Sequence, residues 1–134
     1  MEIKYIPNSE TYDWLPEFVK VASDFEVYFN HRYLQGPYWS RDFIVAYDEG
    51  IVGAISFRYH RFENYYGVGV VEVLPNRQGE GISHKMLTML IQKCYDDGVD
   101  LYVSGFSDMG AQRLRKFMSD ECQRVGVRFH AINI

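Results

Sequence analysis

Several things are scarce in this chain, and each shortage narrows what it does. There are two cysteines in 134 residues, Cys94 and Cys122, too few for a disulfide framework. The four scattered histidines make no metal-ligand spacing with them. Reduced thiols and a cytoplasmic setting are expected. Only four prolines occur, and no low-complexity linker interrupts the chain. One domain over residues 1–134, long enough to bury a normal core, is therefore expected. Positive charge is short: 14 Lys and Arg against 18 Asp and Glu give a net charge of −4, which argues against nucleic acid as a partner. No apolar run is long enough to span a bilayer and no secretion signal opens the chain, so no membrane partner is expected. What is plentiful is aromatic and apolar: 11 Tyr, 9 Phe and 47% hydrophobic residues suit a packed globular protein.

The most informative stretch runs from Val70 to Cys94. It opens with a β-branched run, Val70 to Leu74, the composition of a strand buried on both faces. Pro75 stops the ladder. Ile82, Met86, Leu90 and Cys94 then recur every four residues, with Leu87 and Ile91 beside them, as on the inner face of an amphipathic helix. Between strand and helix lie Gly79 and Gly81, which let a ligand approach the backbone closely. The first turn of the helix adds unpaired N–H groups and the positive end of its dipole. Gln78-Gly79-Glu80-Gly81-Ile82 is thus a candidate phosphate cradle. It is no Walker A loop, which needs Gly-Lys-Ser/Thr. Nor is it a dinucleotide fingerprint: His84 stands where the third glycine belongs, and Asp100 precedes its strand rather than following one.

The segment resembles motif A of the GNAT superfamily of acyl-CoA N-acyltransferases, Gln/Arg-x-x-Gly-x-Gly/Ala after a strand and Pro. Here it reads Gln78, Gly81 and Ser83, preceded by Val71, Val73 and Pro75; Ser83 departs from the usual Gly or Ala. Glu80 is a second departure, a carboxylate beside a diphosphate, which Arg77, His84 and Lys85 can offset. The resemblance implies acetyl-CoA as donor. It places the pantetheine along the backbone of Val71 and Val73, and the pyrophosphate on the amides of Gly79, Glu80, Gly81, Ile82, Ser83 and His84.

The rest of the chain supplies the frame. Glu2 to Ile6 reads as a strand. Trp14, Phe18, Val19, Ala22 and Phe25 form a helical stripe, with Pro16 expected in the first turn. A second helix is expected over Phe25 to Leu34, in a region whose rings, Tyr28, Tyr33, Tyr38 and Trp39 among them, cap a sheet or wall an acceptor pocket. Phe43–Tyr47, Ile51–Tyr59 and Tyr65–Leu74 give three antiparallel strands with turns at 48–50 and near Glu63-Asn64. Gly98 ends the motif helix, and Asp100 to Phe106 should be a strand parallel to the one before it. A helix over Ala111 to Arg124 and a strand over Val127 to Ile134 follow. The fold class is α+β, a mixed sheet of about six strands flanked by helices. Its order, β-α-α-β-β-β-α-β-α-β, is similar to that of GNAT proteins, which usually end in two strands rather than one. From that difference, either the sheet is shortened at its C-terminal strand region or a partner chain, in a homodimer, covers the exposed edge.

Acyl transfer to a primary amine needs a base, because an alkylammonium near pKa 10.4 is protonated at neutral pH. The departing thiolate benefits from an acid. Glu72, a carboxylate within an apolar strand, either serves as that base or bonds a neighbour and does no chemistry. His60, Glu63 and Tyr65 are weaker candidates. A later GNAT motif, Asn-x-x-Ala-x-x-Leu-Tyr, matches at Ala111 and Leu114, but Asp108 falls at its Asn and Arg115 at its acid Tyr. Arginine cannot donate a proton near pH 7, so the acid is another group (Tyr102, Ser107 or water), is not needed, or has been lost with catalysis. Three functions stay open: an N-acetyltransferase, a degenerate GNAT-like acyl-CoA-binding domain, and a small α+β interaction module. On the catalytic reading, Glu72→Gln lowers the turnover rate in a pH-dependent way and leaves acyl-CoA binding intact, as steady-state rates across pH would show.

Overall fold

A computed structural model describes residues 1–26, 29, 41–104 and 109–132. The strands run β1 Glu2–Ile6, β2 Asp42–Tyr47, β3 Ile51–His60, β4 Tyr65–Val73, β5 Asp100–Ser104 and β6 Phe129–Ile132. The helices are α1 Thr11–Val21, α2 Ile82–Asp97 and α3 Met109–Val125. The six strands lie in the sheet in chain order. β1 to β4 form an antiparallel meander, and β5 and β6 add on in parallel. This is the expected mixed α+β sheet, with the parallel step made by the α2 crossover. Most of the expected second helix, residues 105–106 of the expected β5, and Ser107 and Asp108 lie outside the described residues.

Helices pack on both faces. On one, Phe18 of α1 meets Phe43 and Phe29 with ring centroids 5.3 and 5.8 Å apart. On the other, α2 buries the whole predicted stripe: Ile82, Met86, Leu87, Leu90, Ile91 and Cys94. Gly98 closes that helix in the left-handed conformation, with Gly98 N–H on the Tyr95 carbonyl at 3.2 Å and Val99 N–H on the Cys94 carbonyl at 3.0 Å.

Two details of α1 differ from expectation. The helix starts at Thr11, preceded by a 3-10 turn over Asn8–Glu10, so Pro16 lies inside it rather than in its first turn. Tertiary anchoring fixes that start: Thr11 is fully buried and its hydroxyl reaches the carbonyls of Pro7 and Arg41. Val19 does not join the buried stripe; it is 48% exposed, while Phe18 and Ala22 turn inward.

β4 carries one irregularity. Ser56 pairs with Val70, but its neighbour Phe57 pairs with Val68, which leaves Gly69 as the extra residue of a β-bulge. A side chain there has no room, since a Cβ would lie 2.3 Å from Arg41 Nη1 and 2.8 Å from Ser56 Oγ.

β4 is tied to α2 by a polar cluster. Tyr66 donates its hydroxyl to Asp97 Oδ2, and Lys93 Nζ lies 2.9 Å from the same oxygen. The Tyr66 bond, then Lys93, holds the Asp97 carboxyl below its usual range. A lowered carboxyl contributes stability that is present above the ordinary carboxylate range and lost as pH falls through the lowered value. Asp97→Asn is therefore expected to cost about 0.5–1 kcal/mol at pH 7, allowing for its solvent screening. Urea titrations should show the gap closing in acid.

Candidate active site

The parallel pairing of β4 with β5 is short. It runs from Tyr65 opposite Asp100 to Val68 opposite Val103 and then ends, while β4 continues along β3 to Val73. Beyond Val68 the described part of β5 no longer pairs with β4. That corrects the expectation of a strand buried on both faces: Val71 and Val73 are half-buried, and no described residue of β5 pairs with them. The Val73 carbonyl accepts from Gln78 Nε2 of the following turn at 3.2 Å.

The turn after β4 is built from backbone geometry. Pro75–Arg77 makes one 3-10 turn, Gln78 is extended, and Gly79 and Gly81 take φ of 84° and 78°. Gly81 hands the chain to α2 without a side-chain cap; Lys85 N–H on the Gly81 carbonyl at 3.1 Å is the first helical bond. The amides of Ile82, Ser83 and His84 thus lie within the first turn, where a helix has no partner for them. A Cβ built on Gly79 or Gly81 meets nothing within 4 Å, so the space before the turn is open.

Charge around the turn is arranged differently from expectation. Arg77 Nε lies 2.9 Å from Glu80 Oε2, and its Nη2 lies 3.0 Å from Asp48 Oδ2. These bonds, Glu80's first, raise the guanidinium's already high pKa. Arg77 therefore draws Glu80 aside, as expected, but is itself committed to two carboxylates. His84 contributes its amide rather than its ring, which stacks on Phe117 of α3 at 4.0 Å and 3°. The Ile82 side chain is buried in the core, leaving its amide as the available group.

Gln78, Gly79, Glu80, Gly81, Ile82, Ser83 and His84 are thus gathered in one turn, with Val71 and Val73 leading into it. Glu72 points the other way. It is buried, and its Oε1 accepts the Phe29 amide at 2.9 Å, across 43 residues of chain. Of the residues weighed as acids, Tyr102 stacks on Tyr65 at 4.8 Å, and Arg115 is half-buried on α3. Burial pushes the Cys94 and Cys122 thiols up to about 12, so both are protonated thiols inside the core. Among the described residues no His, Cys, Asp or Glu cluster suits a metal, and no helix is long and apolar enough to cross a membrane. The bulge at Gly69 was missed by sequence reasoning, although Gly67-Val68-Gly69 within a strand is its signal.

The profile of the Acetyltransferase (GNAT) family matches residues 7–118. The chain belongs to the GNAT family. Among solved structures, Tetrahymena GCN5 aligns with TM-score 0.63 and 14% identity over 88% of this chain and 78% of that one. A ribosomal-protein-alanine N-acetyltransferase from Brucella melitensis aligns with TM-score 0.55 and 15% identity over 87% and 89%. The N-acetylglutamate synthase of Neisseria gonorrhoeae, solved with coenzyme A and N-acetyl-glutamate, aligns with TM-score 0.55 and 14% identity over 87% of this chain and 28% of that one. A search of curated proteins finds no match. Identities at this level establish the GNAT fold, and coenzyme A appears among its holders.

Two substitutions test the local physics. Gly81→Ala puts a Cβ into a left-handed conformation and is expected to cost about 1–2 kcal/mol, read from thermal melts. Glu72→Ala strands the buried Phe29 amide and is expected to cost about 1–3 kcal/mol, with the loss visible in urea unfolding.

Proposed function

We propose that this GNAT protein is an N-acetyltransferase that moves an acetyl group from acetyl-CoA to a primary amine by direct transfer. The observation that carries the proposal is the uncapped start of α2, opening on free space beside the end of β4, where no described residue of β5 pairs with it. These groups fit a coenzyme A diphosphate. The amides of Ile82, Ser83 and His84 and the helix dipole would hold the negative charge, with no lysine or arginine required. Glu80 is no obstacle, because Arg77 holds its carboxylate. The exposed edge of β4 at Val71 and Val73 would line the pantetheine arm. When bound, acetyl-CoA supplies an activated acyl group on sulfur.

Direct transfer follows from the thiols. A covalent route needs a reachable thiolate, whereas Cys94 and Cys122 are buried and protonated. The two unpaired thiols also support a reducing, cytoplasmic setting as part of the proposal. β6 is the far edge among the described residues, and a second copy covering it is the proposed homodimer. Arg115, at the position of the family's acid Tyr, favours a second reading, an acyl-CoA-binding domain without turnover. Calorimetry with acetyl-CoA, followed by thiol release with an amine panel, separates the two: binding without release supports the second.

The cradle has its own test. Ser83→Asp adds a carboxylate to the first turn of α2, which should leave the fold intact or firmer by about 0.3–1 kcal/mol. The same charge repels a diphosphate. Acetyl-CoA affinity is expected to fall about tenfold or more while the melting temperature holds or rises. Unchanged affinity would remove the turn from the binding site.

A further inference from the structure

Opposite the face that carries α2, the beginnings of β4, β5 and β6 frame an open groove of about 680 Å³, with Glu63, Tyr65, Asp100, Tyr102 and His130 in its lining. Register places these side chains on one face: Tyr65 lies opposite Asp100, Gly67 opposite Tyr102, and Tyr102 opposite His130. Tyr66, between Tyr65 and Gly67, points the other way, to Asp97 of α2.

Three rings stand in a row there. Tyr102 stacks on Tyr65 with centroids 4.8 Å apart, and Tyr65 lies 4.6 Å from the imidazole of His60. His60 comes from the end of β3 and leans over Gly67, its Nε2 only 2.9 Å from where a Cβ on that residue would sit. Glycine at 67 thus makes room for an imidazole at one chosen place. That place is next to the end of the described β4–β5 pairing, because Gly67–Tyr102 is its last pair but one.

The groove's charge is negative and its walls are aromatic. Glu63 and Asp100 supply carboxylates, Asp100 Oδ2 lying 3.0 Å from His130 Nε2. Desolvation and then the charge of Glu63 raise the Tyr65 hydroxyl, which keeps it a neutral phenol. Tyrosine faces attract an organic cation, and carboxylates raise its local concentration. A second carboxylate on the ligand would be repelled.

We propose that this groove binds the acceptor as a primary ammonium on a ligand that carries no carboxylate, its stem lying on Tyr65 and Tyr102, and that His60 takes the proton from its nitrogen. The proposal rests on the acetyl-transfer reading above. In the step, an N–H bond of the ammonium breaks and its proton passes to the unprotonated ring nitrogen of His60. The lone pair left on the amine forms a C–N bond at the thioester carbonyl carbon as the C–S bond breaks. The sulfur keeps that bonding pair and takes the second ammonium proton, leaving as the thiol, and the imidazolium returns its proton to water. His60 suits the task better than Glu72 because it is only half-buried, whereas Glu72 is buried farther along β4 with an oxygen on the Phe29 amide. The charged and titratable groups on the elements around His60 are Arg58 of β3, Glu63 of the turn, Tyr65 of β4, Asp100 and Tyr102 of β5, and His130 of β6, with Arg41 above Gly69.

The test combines acetyl-CoA calorimetry with thiol release, using 1,5-diaminopentane and 5-aminopentanoate as matched acceptors. The diamine is expected to exceed the amino acid in kcat/KM by about tenfold or more. His60→Gln should lower kcat/KM by about 100-fold, erase the acid limb of its pH profile and leave acetyl-CoA affinity unchanged. Gly67→Ala, which puts a methyl where the imidazole now sits, should act in the same direction on a protein that still melts cooperatively and binds acetyl-CoA. Glu72→Gln should keep the acid limb. The proposal is overturned if His60→Gln retains the wild-type rate and pH profile, if the two acceptors react alike, or if acetyl-CoA binds and neither amine is acetylated. Absence of acetyl-CoA binding would instead overturn the acetyl-transfer reading, and this proposal with it.

Discussion

The organisation of this protein depends on one interruption: β4 and β5 pair in parallel from Tyr65 to Val68, and beyond that point no described residue of β5 pairs with β4. Backbone N–H and C=O groups are obligatory hydrogen-bonding groups, and a gap inside a sheet leaves some of them to find partners outside the ladder. The bulge at Gly69 falls next to the point of separation, adding one residue to β4 where its course changes. On one side of the opening stands the start of α2; on the other stands the row of His60, Tyr65 and Tyr102. On the proposed reading, two differently equipped sides would let two reactants approach from opposite directions.

On the proposed reading, an acidic protein that binds a diphosphate faces a conflict, and this one would meet it with backbone rather than side chains. The arginine nearest the turn is bound to Asp48 and Glu80, and the nearest imidazole is stacked on Phe117. What remains are Lys85 and the positive ends of the first-turn peptide dipoles, which do not depend on the net charge of the chain. The overall negative charge is then available for another use. On the same reading, carboxylates at Glu63 and Asp100 would give the opposite face a preference for cations, while the phosphate end would rely on amides.

Elements whose determinants are local were legible in the sequence. β1 has the limits that alternation suggested, the tight turns lie at 48–50 and at Asn64, and α2 lies between the two glycines read as its boundaries. The candidate phosphate turn was legible for the same reason, since strand, proline, glycines and stripe sit in one short run. Contacts between distant segments were not. The start of α1 is set by Thr11 bonding to Pro7 and Arg41, which no capping rule contains. Nothing around Glu72 announces the Phe29 amide, and nothing around Gly67 announces His60 from the neighbouring strand. Half-buried valines at 71 and 73 read as core residues because one sequence does not show where a neighbouring strand stops pairing.

α2 has two duties that meet at its first residue. Ile82 puts its side chain into the core and its amide on the open turn, and the stripe it begins packs much of one sheet face. A molecule seated on the turn therefore grips the same rod that keeps the interior together. Occupancy and folding then become linked quantities: at a concentration 100 times its dissociation constant, such a molecule would add about 2.7 kcal/mol to the unfolding free energy. Starvation for that molecule would show itself first as a softer protein.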